Sequence, residues 1–252
     1  MVHIHSDRIL EVCVDSIESA CAAIRGGADR LELCRDLGLG GLTPSTEFVA
    51  AVDRHCNEVA EKKPESERRI ALYAMVRPRG GDFCYDMEEV KTILNQIELL
   101  ASLECIQGIV VGVLKKSTSG YTIDTNTLGI ICKAATKHGL DVTFHRAFDL
   151  VTDKIAALRN LVTSTCIGRI LTSGCPSNVD DGIETLKTLV EEAGDTVSIM
   201  PGGGVRIENI HNILQHTGAT EIHGSFKSTN SGETSSSLVS MAKQLLIDYS
   251  KS

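Results

Sequence analysis

Short apolar runs alternate with helical stripes along the whole chain. The runs are Ile9–Val14, Arg30–Cys34, Ile70–Val76, Gly108–Val113, Leu140–His145, Arg169–Ser173, Val197–Pro201 and Thr220–Gly224. Each is rich in Val, Ile or Leu and is bounded by Gly, Pro, Asp or Ser, as strands buried on both faces are. Helix signals lie between them. Asp15-Ser16 predicts a cap for a helix through Ala20–Ile24, stopped by Gly26-Gly27. Thr43-Pro44 opens the next, and Met87–Leu103 carries apolar residues at 90, 93, 94, 97, 100 and 101. Further stretches cover 125–138, 154–161, 179–193, 207–215 and 238–249.

Eight strand–helix units in 252 residues predict an α/β chain folded as one (β/α)8 TIM barrel spanning 1–252. A doubly wound open sheet is the competing architecture. It would be favoured by a Gly-x-Gly-x-x-Gly turn after the first strand, which is missing. Segments 61–69, 115–120 and 227–237 read as exposed loops. The last is rich in Ser, Thr, Asn and Gly and is expected to be flexible.

The charge balance narrows the function classes. Lys plus Arg number 25 against 33 Asp plus Glu, a net charge of −8, which argues against nucleic acid or an anionic membrane as the main partner. There is no Trp, and aromatics make up 4%, which disfavours a base-stacking platform. The start, Met1-Val-His-Ile-His, has no apolar leader, and the apolar stretch Ile106–Leu114 is too short to span a bilayer. Nine cysteines without a Cys-x-x-Cys pair suit a reducing cytoplasm. Cys21, Cys105 and Cys132 read as packing residues. His55, His138, His211 and His216 read as surface residues, and His3 and His5 as part of a frayed terminus.

Five strands carry polar residues that ordinary core strands avoid. Residues 11 and 13, 32 and 34, 75 and 77, 143 and 145, and 221 and 223 share a face by period-two geometry. The intervening Val12, Leu33, Val76, Phe144 and Ile222 suit the layer beneath the helices. The polar set therefore points into the barrel, its C-terminal members nearest the catalytic mouth. One reading makes Glu11, Glu32 and Glu221 a structural ion network with Arg77. The other makes Glu11, Glu32, Arg77, His145 and His223 candidate catalytic groups.

The loops add an anion-binding candidate. Arg77 and Arg79, in Arg77-Pro-Arg-Gly-Gly-Asp82, suit planar oxyanions. Gly202, Gly203 and Gly204 follow the seventh strand and precede a helix, where backbone amides cradle anions. Asp82 and Asp149 are also candidates as helix caps. Cu(I) requires soft ligands, and Cys13 and Cys34 are candidates, expected on neighbouring strands at matching depth, with Met75 and His223 as helpers.

These motifs together resemble the CutC-type copper homeostasis family from about Ile9 to Ser228. The matching segments are Glu11–Ser19, Gly26–Cys34, Gly40–Ser45, Arg77–Tyr85, Thr143–Asp149, Leu171–Gly174 and Met200–Val205. The resemblance implies a cytoplasmic TIM barrel that binds Cu(I), serves copper tolerance or trafficking and is often a homo-oligomer. Two departures stand out: a short segment over Phe226–Ser237, and Gly224 where relatives can have Ser or Cys. The residues themselves keep an alternative open, an enzyme acting on a small phosphorylated or carboxylated metabolite with copper effects indirect.

Overall fold

The computed structural model describes residues 8–61, 70–118, 120–163 and 166–251. His3, His5 and nearly all of the 61–69 loop lie outside them. The elements run β1 (Ile9–Val14), α1 (Ile17–Gly26), β2 (Arg30–Leu33), α2 (Thr46–Ala60), β3 (Ala71–Met75), α3 (Met87–Ala101) and β4 (Gly108–Val111). Then come β5 (Leu114–Ser117), β6 (Gly120–Ile123), α4 (Thr125–Lys137), β7 (Asp141–Phe144), α5 (Lys154–Val162) and β8 (Ile167–Thr172). The chain continues through α6 (Ile183–Ala193), β9 (Ser198–Pro201), α7 (Ile207–Thr217), β10 (Glu221–Gly224) and α8 (Ser236–Lys251).

Eight strands form one sheet in the order β10-β1-β2-β3-β4-β7-β8-β9, every neighbouring pair parallel. The two ends of that order, β9 and β10, lie side by side, so the sheet curls into a nearly closed barrel. With a helix after each barrel strand, this is the (β/α)8 TIM barrel.

The alternation of side chains sorts the core into two layers. Val12, Leu33, Val76, Phe144 and Ile222 are at most 2% exposed and belong to the large cluster between strands and helices. A separate small cluster, Cys34, Tyr73, Met75 and Val110, sits inside the barrel. Helix starts follow their polar caps: Ser16 accepts from Ser19 N–H, and Asp86 and Glu89 form a capping box on α3. Where α1 crosses α8, Gly26 permits close approach; a Cβ there would lie 2.5 Å from Val239 Cβ.

Three segments carry contacts that local sequence patterns do not record. The 115–120 stretch belongs to an antiparallel hairpin, with Leu114 opposite Ile123 and Ser117 opposite Gly120. Cys132 packs in the core as expected, and it is also joined to Cys166 by a disulfide that ties α4 to the start of β8. Residues 227–235 form a closed turn, in which Lys227 bridges Thr234 and Ser235 N–H donates to Phe226 O. Glu233 of that turn accepts from Ser16 and Ser19 at the start of α1. Among the described residues, no helix is long and apolar enough to cross a membrane.

Candidate functional site

An ion network fills the N-terminal end of the lumen. Arg30 donates from Nε to Glu11 and from Nη2 to Glu221, and Arg169 donates from Nε to Glu221. Both guanidiniums face the Tyr73 ring, with Cζ 5.0 and 5.4 Å from its centre. The cations that neutralise the glutamates are therefore Arg30 and Arg169, not Arg77. Register is the cause: Arg30 sits directly opposite Glu11 in the β1–β2 ladder, whereas Arg77 lies beyond the end of β3. The end of a barrel where this network lies is the one associated with stability.

Nearer the C-terminal mouth, Cys13, Glu32 and His223 bring one sulfur, one oxygen and one nitrogen within 4.8 Å of one another, all buried. The ladder places Cys13 opposite Glu32, not Cys34, and Glu11 opposite His223. The depths of Cys13 and Cys34 are thus offset by the stagger that barrel closure imposes. Cys34 Sγ instead donates to Glu32 Oε2 at 3.4 Å, and only Cys13 of the two thiols lines the mouth cavity. His223 Nδ1 lies 2.7 Å from Glu11 Oε1 and Nε2 lies 3.9 Å from Glu32 Oε2. A carboxylate can only accept, so Nδ1 carries the proton and Nε2 faces the cluster.

The electrostatics follow from this arrangement. Burial alone would raise Glu11, but Arg30 and His223 hold it well below the usual carboxylate range. Burial opposes charge on His223, yet the negative charges of Cys13 and Glu32, with the Glu11 hydrogen bond, hold it well above an ordinary imidazole. Burial and the nearby Glu11 charge push Glu32 up. Burial and Glu32 push the Cys34 thiol well up. Glu32 Oε1 is buried without a hydrogen-bond partner.

His145 closes the opposite wall of the same cavity, whose volume is about 260 Å³. Its Nδ1 accepts from Ala147 N–H at 3.1 Å, so Nε2 carries the proton; that buried atom has no partner. Burial, with Arg77 nearby, pulls its pKa down to about 3, and the ring stays neutral at physiological pH. The Phe83 ring lies between it and Arg77, 4.8 Å from the imidazole centre and 4.6 Å from Arg77 Cζ.

Arg77 and Arg79 do not line this cavity. Arg77 donates to the carbonyls of Leu39, Gly41 and Gly81 at 2.9, 3.3 and 2.8 Å, fastening loops together. Arg79 donates to Glu89 and to the carbonyls of Asp82 and Cys84, both at 2.9 Å. The Gly202–Gly204 turn does reach the cavity, through Gly203 and Gly204. The guanidinium packed on it is Arg146: a Cβ at Gly203 would lie 2.5 Å from Arg146 Cζ.

Neither Asp82 nor Asp149 caps a helix; Asp86 and Asp153 cap α3 and α5. Asp82 accepts from Cys84 N–H within its loop. Asp149 accepts from Thr172, Ser173 and Arg146, welding the turn after β7 to the end of β8. The residues that the sequence reading passed over are Arg30, Arg169 and Arg146. Arg30 shares the parity of Glu32 and Cys34, a signal that could have found it; the position of Arg146 depends on a loop path with no such period. At Gly224 a Cβ would meet the Phe226 ring at 2.9 Å, which suits glycine there.

Comparison with known proteins agrees with the barrel fold. The CutC family model matches residues 8–228. The chain belongs to the CutC family. A copper homeostasis protein cutC homolog from Homo sapiens is 42% identical over 224 residues, covering 88% of this chain and 74% of that protein. A CutC family protein from Photobacterium profundum is 43% identical over 220 residues, 87% of this chain and 82% of the relative. The crystal structure of a CutC protein from Streptococcus agalactiae superposes with a TM-score of 0.75 at 30% identity. It covers 86% of this chain and 98% of that one.

Proposed function

We propose that this protein binds Cu(I) as cargo in the cytoplasm, and so contributes to copper tolerance or trafficking. The observation that carries the reading is the convergence of Cys13, Glu32 and His223 at the barrel mouth. Thiolate and imidazole are the ligand types Cu(I) prefers, and Glu11 fixes the imidazole so that its other nitrogen, Nε2, faces the thiol. The unpartnered Glu32 Oε1 fits a cation neighbour better than an empty lumen, because a buried lone pair without a partner is costly. Cys34 and the Met75 thioether, both inside the barrel, supply further sulfur next to the cluster. The names of the relatives support the copper assignment.

Competition titration against a Cu(I) chelator, under reducing and anaerobic conditions, tests it. Cys13→Ser is expected to lower affinity at least tenfold, about 1.4 kcal/mol, and Cys34→Ser to lower it less. Undiminished affinity and stoichiometry in Cys13→Ser removes this cluster as the site.

A further inference from the structure

The outer half of the mouth cavity has equipment that a copper site does not use. The Gly202 N–H is engaged by Thr172 O at 3.0 Å, but the amides of Gly203 and Gly204 have no hydrogen-bond partner among the described residues. Both glycines have positive φ, 88° and 95°, a backbone path that glycine takes without strain. α7, eleven residues long, opens three positions later, and a helix N-terminus favours anions. Arg146 lies on Gly203; its Nη1 would be 2.7 Å from a Cβ there. Two other donors of that guanidinium hold Asp149 and Ser173, at 2.8 and 3.2 Å. They lock its plane and leave Nη1 for a ligand.

The second, independent observation is His145. Its residue is 4% exposed, its ring lines this cavity, and its Nε2–H has no partner. The Cε1–Nδ1 edge packs against Gly112, 2.2–2.3 Å from where a Cβ would stand. A buried donor left unmatched costs about 1–3 kcal/mol, and an acceptor group on a ligand would relieve that cost.

We infer that the barrel mouth binds a small phosphate monoester carrying an oxygen on its carbon skeleton. The phosphate sits on the Gly203 and Gly204 amides and Arg146 Nη1, and the skeleton oxygen accepts from His145 Nε2–H. The cavity, about 260 Å³, has room for a three-carbon phosphate. Asp149 pairs with Arg146, so recognition rests on directed donors more than on net charge. This inference does not depend on copper binding.

Metal-free full-length protein should be titrated calorimetrically with glycerol 3-phosphate, inorganic phosphate and glycerol. Glycerol 3-phosphate is expected to bind best, inorganic phosphate more weakly and glycerol not measurably. Arg146→Gln should weaken both phosphate compounds at least tenfold. His145→Asn preserves an acceptor for Ala147 N–H while removing the Nε2 donor. It should weaken glycerol 3-phosphate at least threefold and leave inorganic phosphate unchanged. Circular dichroism verifies that each variant is folded; should Arg146→Gln fail to fold, Gly203→Ala, which displaces the guanidinium, takes its place. Absence of saturable binding by wild type overturns the inference. So does binding that is unchanged in the folded Arg146 or Gly203 variant and in His145→Asn.

Discussion

Replacing His145 with Asn should remove part of the protein's sensitivity to acid. His145 titrates near 6.5 when unfolded and near 3 when folded, because burial and the Arg77 charge oppose its protonation. A histidine depressed in this way stabilises the fold fully above its unfolded value, and the contribution is lost as pH falls from 6.5 toward 3. At pH 5 the unfolded ring is almost wholly protonated while the folded ring stays neutral. That is about 1.5 units of protonation work, or about 2 kcal/mol at ~1.36 kcal/mol per unit. Glu32, held up by burial, runs the opposite way over part of this window. The quantity to read is therefore the stability of wild type minus that of His145→Asn, from urea unfolding at pH 7 and pH 5. This difference should fall by about 2 kcal/mol on acidification. Parallel stability profiles for the two proteins would refute the buried, neutral imidazole. The size of the offset at pH 7 does not bear on it; only its change with pH does.

Other consequences follow from the lumen and the helix layer. Arg30→Met leaves Glu11 and Glu221 short of a cation and should cost about 3–5 kcal/mol in chemical denaturation. Adding Glu11→Gln should recover part of that loss; if the single variant is neutral, the network is not structural. Gly26→Ala drives a methyl into Val239 and should cost about 1–3 kcal/mol. Gly129→Ala in α4 meets nothing within 4 Å and should stabilise by about 0.5–1 kcal/mol, which differential scanning calorimetry can compare. His223 is held well above an ordinary imidazole, so its proton must leave Nε2 before copper binds there. Copper affinity should rise with pH, by up to about tenfold per unit while that proton is bound. His223→Asn should bind more weakly and with a shallower slope in chelator competition.

Much of this architecture is written in local periodicity. Alternation alone sends Val12, Leu33, Val76, Phe144 and Ile222 toward the helices and Glu11, Glu32 and His223 inward, because a strand's side chains alternate whatever its neighbours do. What alternation does not carry is the stagger between strands. That stagger sets Cys13 against Glu32 and Arg30 against Glu11, and it makes Arg30 and Arg169 the partners of the glutamates. Beyond strand ends, the loop path decides. Arg77 turns into the carbonyls of Leu39 and Gly81, while Arg146 lands on Gly203, though both follow a strand in the same way. The Cys132–Cys166 pair spans 34 residues and depends on α4 and β8 becoming neighbours, which no local pattern records.

The copper assignment stands on the ligand atoms of Cys13 and His223, and X-ray absorption at the copper edge of the Cu(I)-loaded protein reads those atoms directly. The expected spectrum contains sulfur and imidazole scattering in the first shell, with the sulfur contribution reduced in Cys13→Ser and the imidazole contribution lost in His223→Asn. A first shell without sulfur, or spectra identical in wild type and both variants, would contradict a copper site at the barrel mouth.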